Sequence, residues 1–189
     1  VVGEDLAEAA VVSVVVALRG SGDMGLQRFL KHALLPGWWV RRNFPAAALK
    51  AIEAAITDSE KTHGGELRFV IEGPLSLHLL LHGQSPRHRA VDLFSQLRVW
   101  DTAHNSGVLI YVQLVDRRVE IIADRGIAAK VPQPQWSEIC RAMEDCFRIK
   151  AWRRGSLEAI DHVGRLLAAH FPATANDRNE LPDRPLVLR

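Results

Sequence analysis

Asp101 and His104 stand three residues apart in the stretch Arg98-Val-Trp-Asp-Thr-Ala-His-Asn-Ser-Gly107, with Asn105 beside them. A carboxylate and an imidazole at that spacing share a face if the chain makes a helical turn. Such a pair can pass a proton or help hold a cation. Taken singly, each residue has a plainer use. Asn and Gly suit a loop because both tolerate positive φ, and an Asp after a helix can bond its own backbone. The cluster gains weight from what it leads into, a nearly continuous apolar run from Gly107 to Val115.

That run reads as a strand buried on both faces. Asp116-Arg117-Arg118 then makes a tight connection, and Val119 to Asp124 returns as an antiparallel strand. Upstream, Glu66 to Glu72 alternates, with Leu67, Phe69 and Ile71 on one side. Between the first two strands, Leu75–His82 forms a helical connection, and Ser85-Pro86 starts a helix that runs toward Trp100. A strand–helix–strand passage favours a parallel crossover. A helix opens at Pro45, buries Leu49, Ile52 and Ile56, and stops at His63-Gly64-Gly65. Trp136, Ile139, Cys140, Met143 and Phe147 mark another helix, and Leu157 to Phe171 the last. The expected architecture is a small α/β sandwich, a mixed sheet with helices on both faces.

This topology locates the chemistry. Parallel first and second strands start at the same edge of the sheet, and an antiparallel third strand ends there. His63 and Glu66, then Asp101, His104 and Asn105, then Asp124 and Arg125 should gather at one rim. Glu72, Asp116 and Arg117 belong at the other. Glu66, Asp101, Asn105 and Asp124 offer oxygens to a divalent cation, calcium or magnesium. Asp101 and His104 would handle protons, and Arg125 would take a phosphate or carboxylate.

Sharper signatures do not occur. The chain has no P-loop, dinucleotide fingerprint, Gly-x-Ser-x-Gly elbow or His-Glu-x-x-His. His78 and His82 stand four apart, with no third ligand evident. Hydrophobic residues make up 48% and charged residues 24% of 189, which fits a globular protein with one substantial core. A net charge of +2 disfavours a nucleic-acid partner. Cys140 and Cys146, six apart on one helix, do not face each other, so reduced thiols in a reducing, cytoplasmic setting are expected.

Both ends look unlike the middle. The apolar stretch Ala9–Leu18 is half the length of a membrane span and follows acidic residues, so residues 1–23 read as an extension of doubtful relevance, with Met24 a more natural start. Residues 24–44 form a basic-aromatic arm; its segment 26–42 reads first as a short helix capping the domain with Trp38 or Trp39 in the core, and alternatively as a surface that could touch a membrane or a partner. The main domain spans 45–171, and the polar, proline-bearing residues 172–189 read as a disordered tail.

His104-Asn-Ser-Gly-Val-Leu-Ile-Tyr-Val112, followed by Asp116-Arg-Arg-Val-Glu-Ile-Ile-Ala-Asp-Arg-Gly-Ile127, resembles the TPM domain family. That pattern is an Asn-Asn-Gly-Val or Asn-Asp-Gly-Val turn, a hydrophobic strand, an Asp-Arg turn and a strand ending at glycine. Gly65-Glu66 matches the opening of the domain, and Phe94 to Asp101 looks like a single-domain branch. The resemblance covers roughly residues 45 to 171. It implies a Rossmann-like α/β/α sandwich, in a family with acid phosphatases, calcium binders, photosystem-repair factors and membrane-associated accessory proteins. Ser106 stands where many members carry a second Asn or an Asp, which removes one carboxylate ligand and weakens both the cation and the phosphatase implication.

Two functions fit. One is a non-catalytic accessory module whose rim binds a protein partner or a cation. The other is metal-assisted hydrolysis of a phosphorylated small molecule. There Glu66, Asp101 and Asp124 would hold the ion, His104 would act as general acid, and Arg125 would bind the phosphoryl oxygens.

Overall fold

The computed structural model describes residues 22–174 and 178–188, so residues 1–21 of the expected extension lie outside it. Helices α1 (Gly22–Leu34), α2 (Trp38–Asn43) and α3 (Ala46–Glu60) precede strand β1 (Leu67–Glu72). Helices α4 (Leu77–Leu81) and α5 (Pro86–Gln96) then lead to the hairpin β2 (Val108–Gln113) and β3 (Arg118–Ala123). The chain closes with α6 (Arg125–Ala128), α7 (Gln133–Arg148), α8 (Trp152–His170) and β4 (Leu186–Leu188).

The sheet order is β3-β2-β1-β4. β1 and β2 run parallel with Phe69 opposite Ile110, while β2 and β3 are antiparallel with Ile110 opposite Ile121. Each local cause is visible. At α5, the Ser85 side chain accepts from the His88 N–H and Pro86 occupies the first turn, where its missing N–H costs nothing. All six residues of β1 and of β2 are buried, because helices cover both faces of the sheet. Phe69, Ile71, Val108 and Ile110 pack with Ile52 and Ile56 of α3, Phe147 of α7 and Val163 of α8. Val70, Leu109 and Tyr111 pack on the other face with Ala90 and Leu93 of α5. The result is an α/β/α sandwich around a mixed sheet.

One expectation at the ends needs correction. The tail is not wholly without structure: Leu186–Leu188 joins the sheet as β4, parallel to β1, with Ile71 opposite Val187. Three residues behind two prolines give no periodic signal, and their partner lies more than a hundred positions away. The arm, for its part, is docked. His32 is buried; its Nδ1 accepts the Leu75 N–H at 2.9 Å and its Nε2 meets the Asp116 carboxylate at 3.1 Å. Arg28 pairs with the same carboxylate at 2.9 Å. Trp39 packs against the core, whereas Trp38, Leu30 and Leu34 remain exposed. Among the described residues, no helix is long and apolar enough to cross a membrane.

Candidate functional site

The strand directions bring the expected loops to one rim. The Val108 N–H donates to the Glu66 carbonyl at 2.8 Å, and the Asp124 N–H donates to the Gly107 carbonyl at 2.9 Å. These bonds tie the start of β1, the loop before β2 and the end of β3 together. The loop itself is held by backbone geometry. Arg98 ends the α5 turn at φ 53°, and Asn105 sits at φ 51°, the left-handed region in which Asn is at ease. Gly107 is required by crowding, since a Cβ there would lie 1.9 Å from the Val99 carbonyl oxygen. Gly126 is required for the same reason: its Cβ would meet the Asn105 and His104 carbonyl oxygens at 2.5 and 2.6 Å.

The polar groups divide by what they touch. The buried Glu66 carboxylate accepts two backbone N–H groups, from Glu180 and Leu181, both at 3.0 Å. Burial raises its pKa, and the two N–H donors offset only part of that rise. Asp124, also buried, uses one oxygen to cap α6 through the Arg125 N–H at 2.7 Å, while its Oδ2 is buried without a hydrogen bond. Asn105 Oδ1 accepts from Arg125 Nε at 3.0 Å. Asp101, His104 and Arg125 are exposed, and so is Trp100, at 49%. Ser106 is buried, and its hydroxyl donates to the Gly64 carbonyl at 3.3 Å.

The expected ligand set is therefore split. Glu66 faces the tail, Asn105 holds Arg125, and Asp101 stands on the open side of the loop. No group of three or more His, Cys, Asp and Glu side chains able to hold a metal ion occurs among the described residues. His63 belongs to the same edge but turns inward: it is buried, with Nδ1 3.0 Å from the Gly65 carbonyl and Nε2 3.0 Å from the Ser59 hydroxyl. That hydroxyl sits under α8, where a Cβ on Gly164 would lie 2.0 Å from it.

Sequence reasoning missed Glu60 and the tail groups around it. Glu60 lines a cavity of about 340 Å³ with His63, Glu66 and Asp183. Its Oε1 accepts the Leu67 N–H at 3.1 Å, and its Oε2 is buried without a hydrogen bond. Burial pushes its carboxyl up to about 8, with Glu66 and Asp183 adding to the rise. One signal was available, since Glu60 continues the buried stripe of Ile52 and Ile56 at helical spacing. Nothing local pointed to Glu180, Leu181 or Asp183.

Residues 43–166 match the TPM domain. The chain is similar to the BA42 protein of the psychrophilic bacterium Bizionia argentinensis, solved by NMR, with a TM-score of 0.66 and 32% identity. That likeness covers 75% of this chain and 93% of the other. A second solved structure, the N-terminal domain of the cg2496 protein of Corynebacterium glutamicum, matches at 12% identity and a TM-score of 0.49, over 71% of this chain and 80% of that one. No curated protein matches.

Proposed function

The chain belongs to the TPM domain family, and from that premise we propose that it is a non-catalytic accessory module that docks a protein partner through residues 98–105 and Arg125. One observation carries this reading: the two buried rim carboxylates, Glu66 and Asp124, are already engaged by backbone, and the side chains left open stand on segments of fixed path. Glu66 is held by two tail amides, and Asp124 caps α6. What faces outward is Trp100, Asp101 and His104, on a loop whose path Gly107 and Gly126 impose, together with Arg125 at the start of α6. An exposed tryptophan with an exposed guanidinium and carboxylate on the same rim is the composition of a protein-binding hot spot.

A specific observation favours a second role at the same rim. The Asp124 Oδ2, buried without a hydrogen bond, is an oxygen that a calcium or magnesium ion would satisfy. Asp124 would hold the ion, which would supply positive charge at the base of the loop. Metal-assisted phosphate hydrolysis would add His104 as proton donor and Arg125 as phosphate ligand, both on the open side.

Two measurements decide among these. A photo-crosslinking residue placed at position 100 or 104 in living cells should give one discrete adduct, lost on Arg125→Glu. The same crosslinker at the exposed Ile149 should not give it. Hydrolysis of p-nitrophenyl phosphate, with and without Mg²⁺ or Ca²⁺, should not differ between wild type and Asp101→Ala. Ion-dependent turnover abolished by Asp101→Ala or His104→Ala would replace the docking function with phosphatase chemistry.

A further inference from the structure

A groove of about 750 Å³ lies between α2, α3, β1 and the chain entering β4, and no residue of the 98–105 loop lines it. Its walls are apolar, built from Val40, Phe44, Leu49, Leu186 and Val187. Around them stand four cations from four different segments, Arg41, Lys50, Arg68 and Arg184, against one carboxylate, Glu53. The volume falls in the range of small-molecule sites, as does the combination of apolar walls with a few convergent charges.

Several arginines elsewhere on the molecule are paired with carboxylates. Arg28 pairs with Asp116, Arg89 with Glu72, Arg118 with Glu144 and Arg165 with Asp161. Among the described residues, none of Arg41, Lys50, Arg68 and Arg184 makes an ion pair. Arg68 is the telling case, because it is only 8% exposed. Its Nη1 donates to the Pro182 and Arg184 carbonyls, the second at 2.6 Å. Those dipoles fix the guanidinium in place without neutralising it. Burial lowers its pKa, and the attraction of Asp183 offsets this only in part. A buried cation without a bonded anion is costly, and an anion arriving in bidentate geometry removes that cost.

We propose that this groove binds an amphipathic anion, a single-chain carboxylate whose headgroup meets Arg68 with Lys50 and Arg184 and whose chain lies along Phe44, Leu49 and Leu186. Apolar walls alone would accept any hydrophobe, and surface cations alone would accept any anion. The two together require both properties in one molecule. Because Arg184 and Leu186 belong to the tail, the bound carboxylate also joins β4 to the domain, so its binding raises the thermal midpoint.

The full chain is titrated calorimetrically with dodecanoate below its micellar concentration, and in parallel with dodecanol, acetate and dodecyltrimethylammonium. Dodecanoate should bind one to one. Each of the other three should bind at least about tenfold more weakly, the loss expected when a desolvated charge pair or the apolar contact is removed. The double variant Arg41→Glu, Lys50→Glu changes two exposed side chains that make no ion pair, so it should fold with the wild-type thermal midpoint yet lose dodecanoate affinity by a similar factor. Arg125→Glu, at the docking loop, should leave the affinity unchanged. Absence of saturable dodecanoate binding overturns the proposal. So does equal binding of the cationic detergent, or a charge-reversed double variant that folds and binds as wild type does.

Discussion

The two rims of the sheet use polar residues in opposite ways. At the rim where β1 and β2 end, side chains bond to side chains across long sequence separations. Arg89 grips both oxygens of Glu72 at 2.7–3.0 Å, the Tyr111 hydroxyl donates to the same carboxylate at 2.6 Å, and Asp116 gathers Arg28 and His32. At the rim where those strands begin, side chains bond mostly to backbone: Glu66 to Glu180 and Leu181, Asp124 to Arg125, Ser106 to Gly64. The first rim holds the denser cluster of charge, yet that cluster is closed on itself and holds α1 and α5 onto the sheet. The second rim leaves Asp101, His104 and Arg125 facing outward. A concentration of ionisable residues thus marks architecture here, and the open groups mark the surface available to a ligand.

Breaking the closed rim should have the largest effect. Arg89→Ala leaves the Glu72 carboxylate, whose side chain is 6% exposed, without its counter-charge and still bonded to a buried tyrosine. Removing one partner of a buried pair costs about 3–5 kcal/mol. Urea unfolding should show that loss, and a loss below about 1 kcal/mol would mean that the network is far less closed than its geometry. Next in size is Gly107→Ala at the open rim. Its Cβ would overlap the Val99 carbonyl, so the backbone must shift, at a cost of about 1–3 kcal/mol. Because the shift displaces the docking loop, partner crosslinking from position 100 should fall together with stability. Unchanged crosslinking at reduced stability would separate the loop's shape from its recognition.

How much of this was legible in the sequence follows from the range of each interaction. The hairpin, the crossover and the shared rim come from local patterns: the apolar run 108–115, the short Asp116-Arg117 connection and the Ser85-Pro86 cap. Those patterns correctly brought Glu66, Asn105 and Asp124 to one edge. Which way each side chain points was not legible. Glu66 is turned toward Glu180 and Leu181 by a strap more than a hundred residues away, and that strap ends in a three-residue strand with no periodicity to read. His32 was lost in a basic-aromatic segment for the same reason, since its burial depends on Leu75 and Asp116. Sequence periodicity reports burial along one element, whereas these contacts are pairings between elements.

A third effect is a pH dependence that separates the rims by sign. Glu60 stands under the strap with its carboxyl raised to about 8, chiefly by burial. Folding therefore favours its protonated form, and Glu66 is shifted in the same direction. Stability from this group is fully present below the ordinary carboxyl value of 4.5, declines as pH rises toward about 8, and is flat beyond. Asp116 at the other rim behaves in the opposite sense. Burial raises its pKa, but the bonds from His32 and Arg28 outweigh that and hold it below 3.8, so its contribution is lost only as pH falls through the acid range. Of these three carboxyls, only the pair under the strap gives a slope between pH 5 and 8. Urea unfolding across that window should show stability decreasing with pH in the wild type and a flatter profile in Glu60→Gln. Amide exchange corrected for its intrinsic pH dependence should place the loss of protection at 180–188, with the amides of β2 unaffected. An identical slope in the variant would move the titration away from Glu60, and a loss of protection centred on α1 would assign it to the Asp116 rim instead.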